Sequence, residues 1–200
     1  MEGSSDSGYE EKGEGKEKSF LVTPFPPVCP KQMVAEPSGT TFSLRGSNYM
    51  EDRKKVPSQE NLFKLCCVDL FESTDKTVDI CSRQDNRIAM ARHRGDNNWY
   101  FVMNIMVPLK KKKTFSYVVY WEGDRSKVDD EETPFGRIAR PFFDGTDDAY
   151  RNSRFKLIPR VVEGPYVVKM AVGQKPALLG NKLTQHYTRG DNYFEIDIDV

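Results

Sequence analysis

A mainly antiparallel α+β domain with a few short helices is the fold this sequence predicts, and three observations predict it. Two β-rich runs, residues 99–107 and 114–121, are joined by a short lysine-rich connection, the pattern of an antiparallel hairpin. Further short β-rich runs recur between turns marked by Gly and Pro. Helical signals are brief and fall between Phe135 and Arg154. A chain of 200 residues is long enough to bury one core of ordinary size.

The elements follow in order. Residues 1–18 hold six acids, three lysines and no aliphatic side chain apart from Met1, so they read as a disordered acidic leader. Residues 19–38 form a proline-rich extended stretch, in which Phe20, Leu21 and Phe25 are candidate anchors. The domain proper is placed at 39–200. It opens with a strand in which Phe42 and Leu44 share a face, followed by a polar loop or turn at 48–55. A strand over 62–71 is apolar on both faces, with Cys66 and Cys67 on opposite sides, and 78–81 is expected to pair nearby. Residues 86–94 are short and basic.

In the hairpin, Trp99, Phe101, Met103, Ile105 and Val107 share one face, as do Phe115, Tyr117, Val119 and Trp121 on the second strand. The opposite faces are also apolar, so both sides should be covered. A helical region then carries Ile138, Phe142 and Phe143 on one face, and Asp147 is placed to cap a second short helix. Strands over 156–158, 166–172 and 192–200 complete the reading.

Composition restricts the function. Thirty basic and thirty acidic residues give zero formal charge, against a general nucleic-acid binder. The leader carries −3, which leaves the folded part mildly basic. No apolar run reaches the roughly 20 residues of a membrane span, and the N-terminus lacks the apolar core of a signal peptide. An intracellular protein, cytoplasmic or peripheral to a membrane, is the expectation. Cys29, Cys66, Cys67 and Cys81 follow no zinc spacing and read as reduced thiols.

Chemistry-bearing patterns are few. Glu195, Asp197 and Asp199 alternate with Phe194, Ile196, Ile198 and Val200, which reads either as a carboxylate cluster for a divalent cation or as the solvated face of an amphipathic strand. The second reading is preferred. His93 and His186 stand without a nucleophile motif, and neither phosphate-binding glycine loop occurs, so no catalytic residue and no cofactor is assigned. Two positive readings remain. Lys110, Lys111, Lys112 and Lys113, with Arg151, Arg154 and Lys156, are candidate contacts for anionic headgroups. Trp99, Phe101, Met103, Tyr117, Val119 and Trp121 are candidates for the wall of an apolar pocket, or equally for a filled core.

Several motifs also coincide in order. Residues 42–49 (FSLRGSNY), 54–57 (KKVP), 143–148 (FDGTDD), 151–159 (RNSRFKLIP), 164–168 (GPYVV) and 193–199 (YFEIDID) resemble the C-terminal domain of plant Enhanced Disease Resistance 2 proteins. That domain commonly follows pleckstrin-homology and START lipid-binding domains in proteins that restrain defence-associated cell death. Neither lies within these 200 residues, so phosphoinositide binding by a pleckstrin-homology module does not transfer. No reaction is established for the domain, and no catalytic residue carries over.

Relatives of this kind continue past the acidic strand into a long apolar segment, whereas this sequence stops at Val200. The expectation is a shortened variant, or a groove left uncovered. A START-like helix-grip arrangement is the alternative fold, by analogy. The resemblance and the residues together imply a non-enzymatic lipid- or membrane-associated regulatory domain. A protein-interaction domain with a filled core is the alternative, and a metal-dependent hydrolase using Glu195, Asp197 and Asp199 stands third.

Overall fold

The computed structural model describes residues 18–21, 36–158 and 176–200. The first half contains β1 (Lys18–Leu21), β2 (Ser43–Arg45), α1 (Tyr49–Asp52), β3 (Lys55–Pro57), β4 (Phe63–Ser73) and α2 (Arg87–His93). The central hairpin is β5 (Trp99–Pro108) and β6 (Thr114–Gly123), followed by α3 (Arg125–Asp129), α4 (Pro134–Phe143) and α5 (Asp148–Asn152). Then come β7 (Lys156–Leu157), β8 (Ala177–Leu178), β9 (Thr184–Arg189) and β10 (Tyr193–Asp199). The predicted strand at 166–172, the acidic residues 1–17 and Cys29 lie outside the described residues.

A six-stranded sheet in the order β1-β4-β6-β5-β10-β9 organises these elements. Every neighbouring pair is antiparallel except β5 with β10, which run parallel. The β5–β6 hairpin runs in register from Trp99 opposite Gly123 to Pro108 opposite Thr114. This is the mainly antiparallel α+β fold that the sequence predicts. The longest described helix, α4, has ten residues, so no long gripping helix crosses the sheet among the described residues.

One face of the sheet is aromatic. Trp99 and Phe101 on β5 and Phe194 on β10 meet Phe142 and Phe143 of α4, and Trp121 on β6 stacks on Phe101. Thr133 caps that helix by accepting from the Gly136 N–H, and Pro134 occupies the first turn, where its missing donor costs nothing. Ile138 departs from its predicted place on the buried face. It is exposed, and Gly136, Ala139, Phe142 and Phe143 form that face instead.

The other face is polar and equally buried. It carries Tyr100, Val102 and Asn104 of β5, Ser116, Val118 and Tyr120 of β6, and Glu195 and Asp197 of β10. Residues 74–93 cover it, in a form the sequence reading did not foresee. Residues 78–81 do not form a strand: Ile80–Ser82 is a single 3-10 turn, because its leading N–H groups bond side chains of β10 rather than a neighbouring strand. The basic stretch after it folds as α2, capped by Asn86, whose side chain accepts from the Ile88 N–H. β9, read from sequence only as a polar run around His186, pairs with β10 along its length.

Candidate functional site: a lysine turn and a buried carboxyl pair

The six predicted apolar-wall residues share the aromatic face, as their alternation requires. That face is filled where Trp99, Phe101 and Trp121 stand. Phe101 stacks on Trp121 with ring centroids 5.4 Å apart, and Phe143 meets Trp99 edge-on at 5.1 Å. Phe143 also touches Phe63, Phe142 and Phe194 and so forms the hub of the cluster. Met103 and Val119 are buried beside it, whereas Tyr117, nearer the lysine turn, is exposed. An open groove of about 640 Å³ lies instead at the Trp99 end of the sheet. It is lined by Leu62 and Trp99 together with polar residues that include Lys64, Glu122, Arg125 and Asn192.

The cationic residues divide into two groups. Lys110, Lys111, Lys112 and Lys113 connect β5 to β6 and are exposed. Lys113 pairs with Glu72, while Lys110, Lys111 and Lys112 form no ion pair with any described residue. The turn sits at the far end of β5 from Trp99. Ten residues at about 3.3 Å each separate the two by roughly 30 Å, so the structure does not bring the lysines to the Trp99 end of the aromatic wall. Lys111 and Lys112 both adopt left-handed backbone, φ 62° and 57°. That conformation favours Gly or Asn and costs a residue with a Cβ about 1–2 kcal/mol.

Arg151 belongs to the scaffold rather than to a headgroup surface. It is 6% exposed, and it donates to the Phe142 and Gly145 carbonyls and to the Asp148 carboxylate. Its guanidinium also lies 5.1 Å from the ring centroids of Tyr187 and Phe194. Arg151 thus ties α5 to the loop after α4 and to the sheet, and that use of its donors is the physical reason for the correction. Arg154 is exposed, stacked 3.5 Å over the Tyr150 ring, and Lys156 is exposed on β7.

The alternating acids of β10 overturn the expectation of a solvated face. Glu195 and Asp197 are both 0% exposed. β10 lies between β5 and β9, which pairs both of its edges, and its acidic face is covered by the segment around Asp79, Ile80 and Cys81. The two oxygens of Glu195 accept from the N–H groups of Ile80 and Cys81, each at 2.8 Å. Asp197 accepts from the Asp79 N–H at 3.1 Å and from Asn104 Nδ2 at 2.7 Å. Three successive N–H groups, starting at the left-handed Asp79 (φ 53°), therefore form a small cradle for two carboxyls. Asp199 lies at the strand end and pairs with Lys76.

Burial, reinforced by the neighbouring Asp197, pushes the Glu195 carboxyl up to about 8. Burial also raises Asp197, opposed by its polar neighbours Glu195, the Asp79 N–H and Asn104. Burial and the adjacent Glu195 push the Cys81 thiol well above its ordinary value, so it is held as an unreactive thiol. These carboxyls are occupied by backbone donors. Among the described residues, no three His, Cys, Asp or Glu side chains are grouped to hold a metal ion.

Beside them stands a buried ion pair that sequence reasoning missed. Arg87 of α2, with its side chain 2% exposed, donates from Nε to Asp69 of β4 at 2.6 Å and makes a second bond to the same carboxylate. Asn86 donates to the Tyr120 hydroxyl at 3.0 Å. Both contacts span elements, and only the excess of arginines near α2 hinted at them.

The fold and this arrangement describe an α+β domain with a filled aromatic core, a buried polar layer and an exposed lysine turn. The chain belongs to the family described as Protein ENHANCED DISEASE RESISTANCE 2, C-terminal, which matches residues 35–200. It is 35% identical over 162 residues to "Protein ENHANCED DISEASE RESISTANCE 2-like" of Arabidopsis thaliana, an alignment covering 81% of this chain and 21% of that protein. The chain therefore spans about a fifth of that relative's length. No solved structure matches it. No helix among the described residues is long and apolar enough to cross a membrane.

Proposed function

We propose that this domain is a non-enzymatic regulatory module of plant defence that attaches peripherally to an anionic membrane surface through the β5–β6 turn. The single observation that carries the reading is the backbone of that turn. Lys111 and Lys112 occupy left-handed positions that glycine or asparagine fills more cheaply. Lysine there is accepted against conformational preference, which points to a use for its charge beyond the turn itself. Val107 and Leu109 flank the lysines and are 37% and 41% exposed, so apolar side chains accompany the charges. Basic residues with adjacent apolar groups suit the edge of an anionic bilayer, where each base contributes about 1 kcal/mol.

Flotation with vesicles of phosphatidylcholine, with and without phosphatidylserine, tests the reading. The intact chain should float only with the anionic lipid, and replacing Lys110, Lys111 and Lys112 by Gln should weaken partitioning roughly a hundredfold at low salt. Absence of flotation by the intact chain at low salt would sink the proposal. A second reading, a protein-interaction domain, draws support from the filled core at Phe143 and from the scaffold role of Arg151.

A further inference from the structure

We infer that residues 43–57 form a docking finger for an extended, acidic segment of a protein partner. This names a surface for the protein-interaction reading, and it stands whether or not the lysine turn meets a membrane. β2 and β3 pair antiparallel with one another as a separate two-stranded sheet, and α1 closes its tip. No residue of β2, α1 or β3 is buried. A two-stranded hairpin without a packed face is marginal in water.

The finger nevertheless has defined internal structure. Gly46 N donates to the Lys54 carbonyl at 3.1 Å, Ser58 N to the Phe42 carbonyl at 2.7 Å, and Lys54 N to Asp52 Oδ1 at 2.8 Å. The guanidinium carbons of Arg45 and Arg53 lie 4.9 and 5.8 Å from the Tyr49 ring centroid. Tyr49 thereby holds two planar carboxylate-binding groups in place, which lowers the entropy lost when an acid binds them.

Three features together identify the partner's chemistry. Arg45 and Lys55 stand directly opposite one another across the two strands, an arrangement of like charges that weakens a hairpin. None of Arg45, Arg53, Lys54 and Lys55 forms an ion pair with a described residue. Leu44 and Val56, the adjacent cross-strand pair, are 44% and 48% exposed. An extended segment carrying carboxylates beside aliphatic side chains would relieve the repulsion and cover the apolar pair. The finger leaves the sheet at the start of β4, where Phe63 pairs with Gly123, the end opposite the lysine turn.

The test selects random dodecapeptides displayed on phage against the intact chain. Enriched peptides are then synthesised and titrated by fluorescence anisotropy against the wild type and against Leu44→Ser and Lys55→Glu chains. Enriched peptides should alternate Asp or Glu with Ile, Leu or Val, and each substitution should weaken binding at least tenfold. Lys55→Glu places opposite charges across from one another and should leave folding intact or improve it, so its loss of binding cannot be assigned to unfolding. A chain with Lys110, Lys111 and Lys112 replaced by Gln should bind the same peptides unchanged. Failure to enrich such peptides, or binding to both finger variants within twofold of wild type, overturns the inference. Loss of phosphatidylserine-vesicle flotation in the finger variants would also overturn it, assigning the finger to a membrane.

Discussion

The two faces of the central sheet are buried by opposite means. On the aromatic face, Phe143 meets Phe63, Trp99, Phe101, Phe142 and Phe194. On the polar face, Asp69, Glu195 and Asp197 are covered only because Arg87 and the N–H groups of Asp79, Ile80 and Cys81 reach them. Apolar contacts are non-directional, so the first face can lose atoms in graded steps. Buried charges need specific partners, so the second face fails when one donor is removed. It also responds to pH, which the first does not.

That contrast can be broken at four points. Arg87→Ala leaves the Asp69 carboxylate without its ion-pair partner and should destabilise the domain by about 3–5 kcal/mol, read from the urea midpoint. Phe143→Ala empties the aromatic hub and should cost a comparable 3–5 kcal/mol, but Phe143→Leu should recover much of it. No conservative substitution should rescue Arg87 in the same way, since Lys cannot reproduce its two bonds to one carboxylate. Equal rescue at both sites would erase the distinction between the faces.

The pH dependence is the third test. Burial raises Glu195 to about 8, whereas an unfolded chain releases that proton near the ordinary value of 4.5. Between these values the folded state binds more protons than the unfolded state, so stability is greatest below about pH 4.5 with respect to this group and falls as pH rises toward 8. Urea midpoints measured from pH 5 to 8 should decline, and Glu195→Gln should flatten the decline. A midpoint that rises over this range would contradict the upward shift of Glu195.

The smallest expected effect lies outside both faces. Lys111→Gly removes left-handed strain and should raise stability by up to about 1 kcal/mol while weakening flotation with anionic vesicles. Stability and membrane attachment moving in opposite directions would set the lysine turn apart from the core. Weaker flotation with lower stability would make the turn simply structural.

Local chemistry made much of this architecture legible. The β5–β6 hairpin follows from two β-rich runs and a short polar connection, and Asp147 caps α5 by accepting from the Tyr150 N–H. The alternation at 193–199 located a strand with one acidic and one apolar face. It gave no information about what covers the acids, because periodicity describes one strand while burial depends on its neighbours. Ile80 and Cys81 lie 115 and 114 residues from Glu195, and no local pattern links them. Arg151 shows the same limit: its charge suggested a surface contact, but its partners are the Phe142 and Gly145 carbonyls and Asp148, brought together by the turn between α4 and α5.

The sequence by itself determined the α+β class, the family, the aromatic composition of the hairpin and the concentration of lysines in its turn. Only the tertiary structure decided that β10 enters the sheet between β5 and β9, parallel to the first and antiparallel to the second. That placement pairs both edges of the strand, and a distant segment packed over its acidic face converts the acids from apparent surface groups into a buried pair and supplies their donors. The reason is physical: a side-chain alternation specifies which residues share a face, whereas the dielectric around that face is set by the elements packed against it.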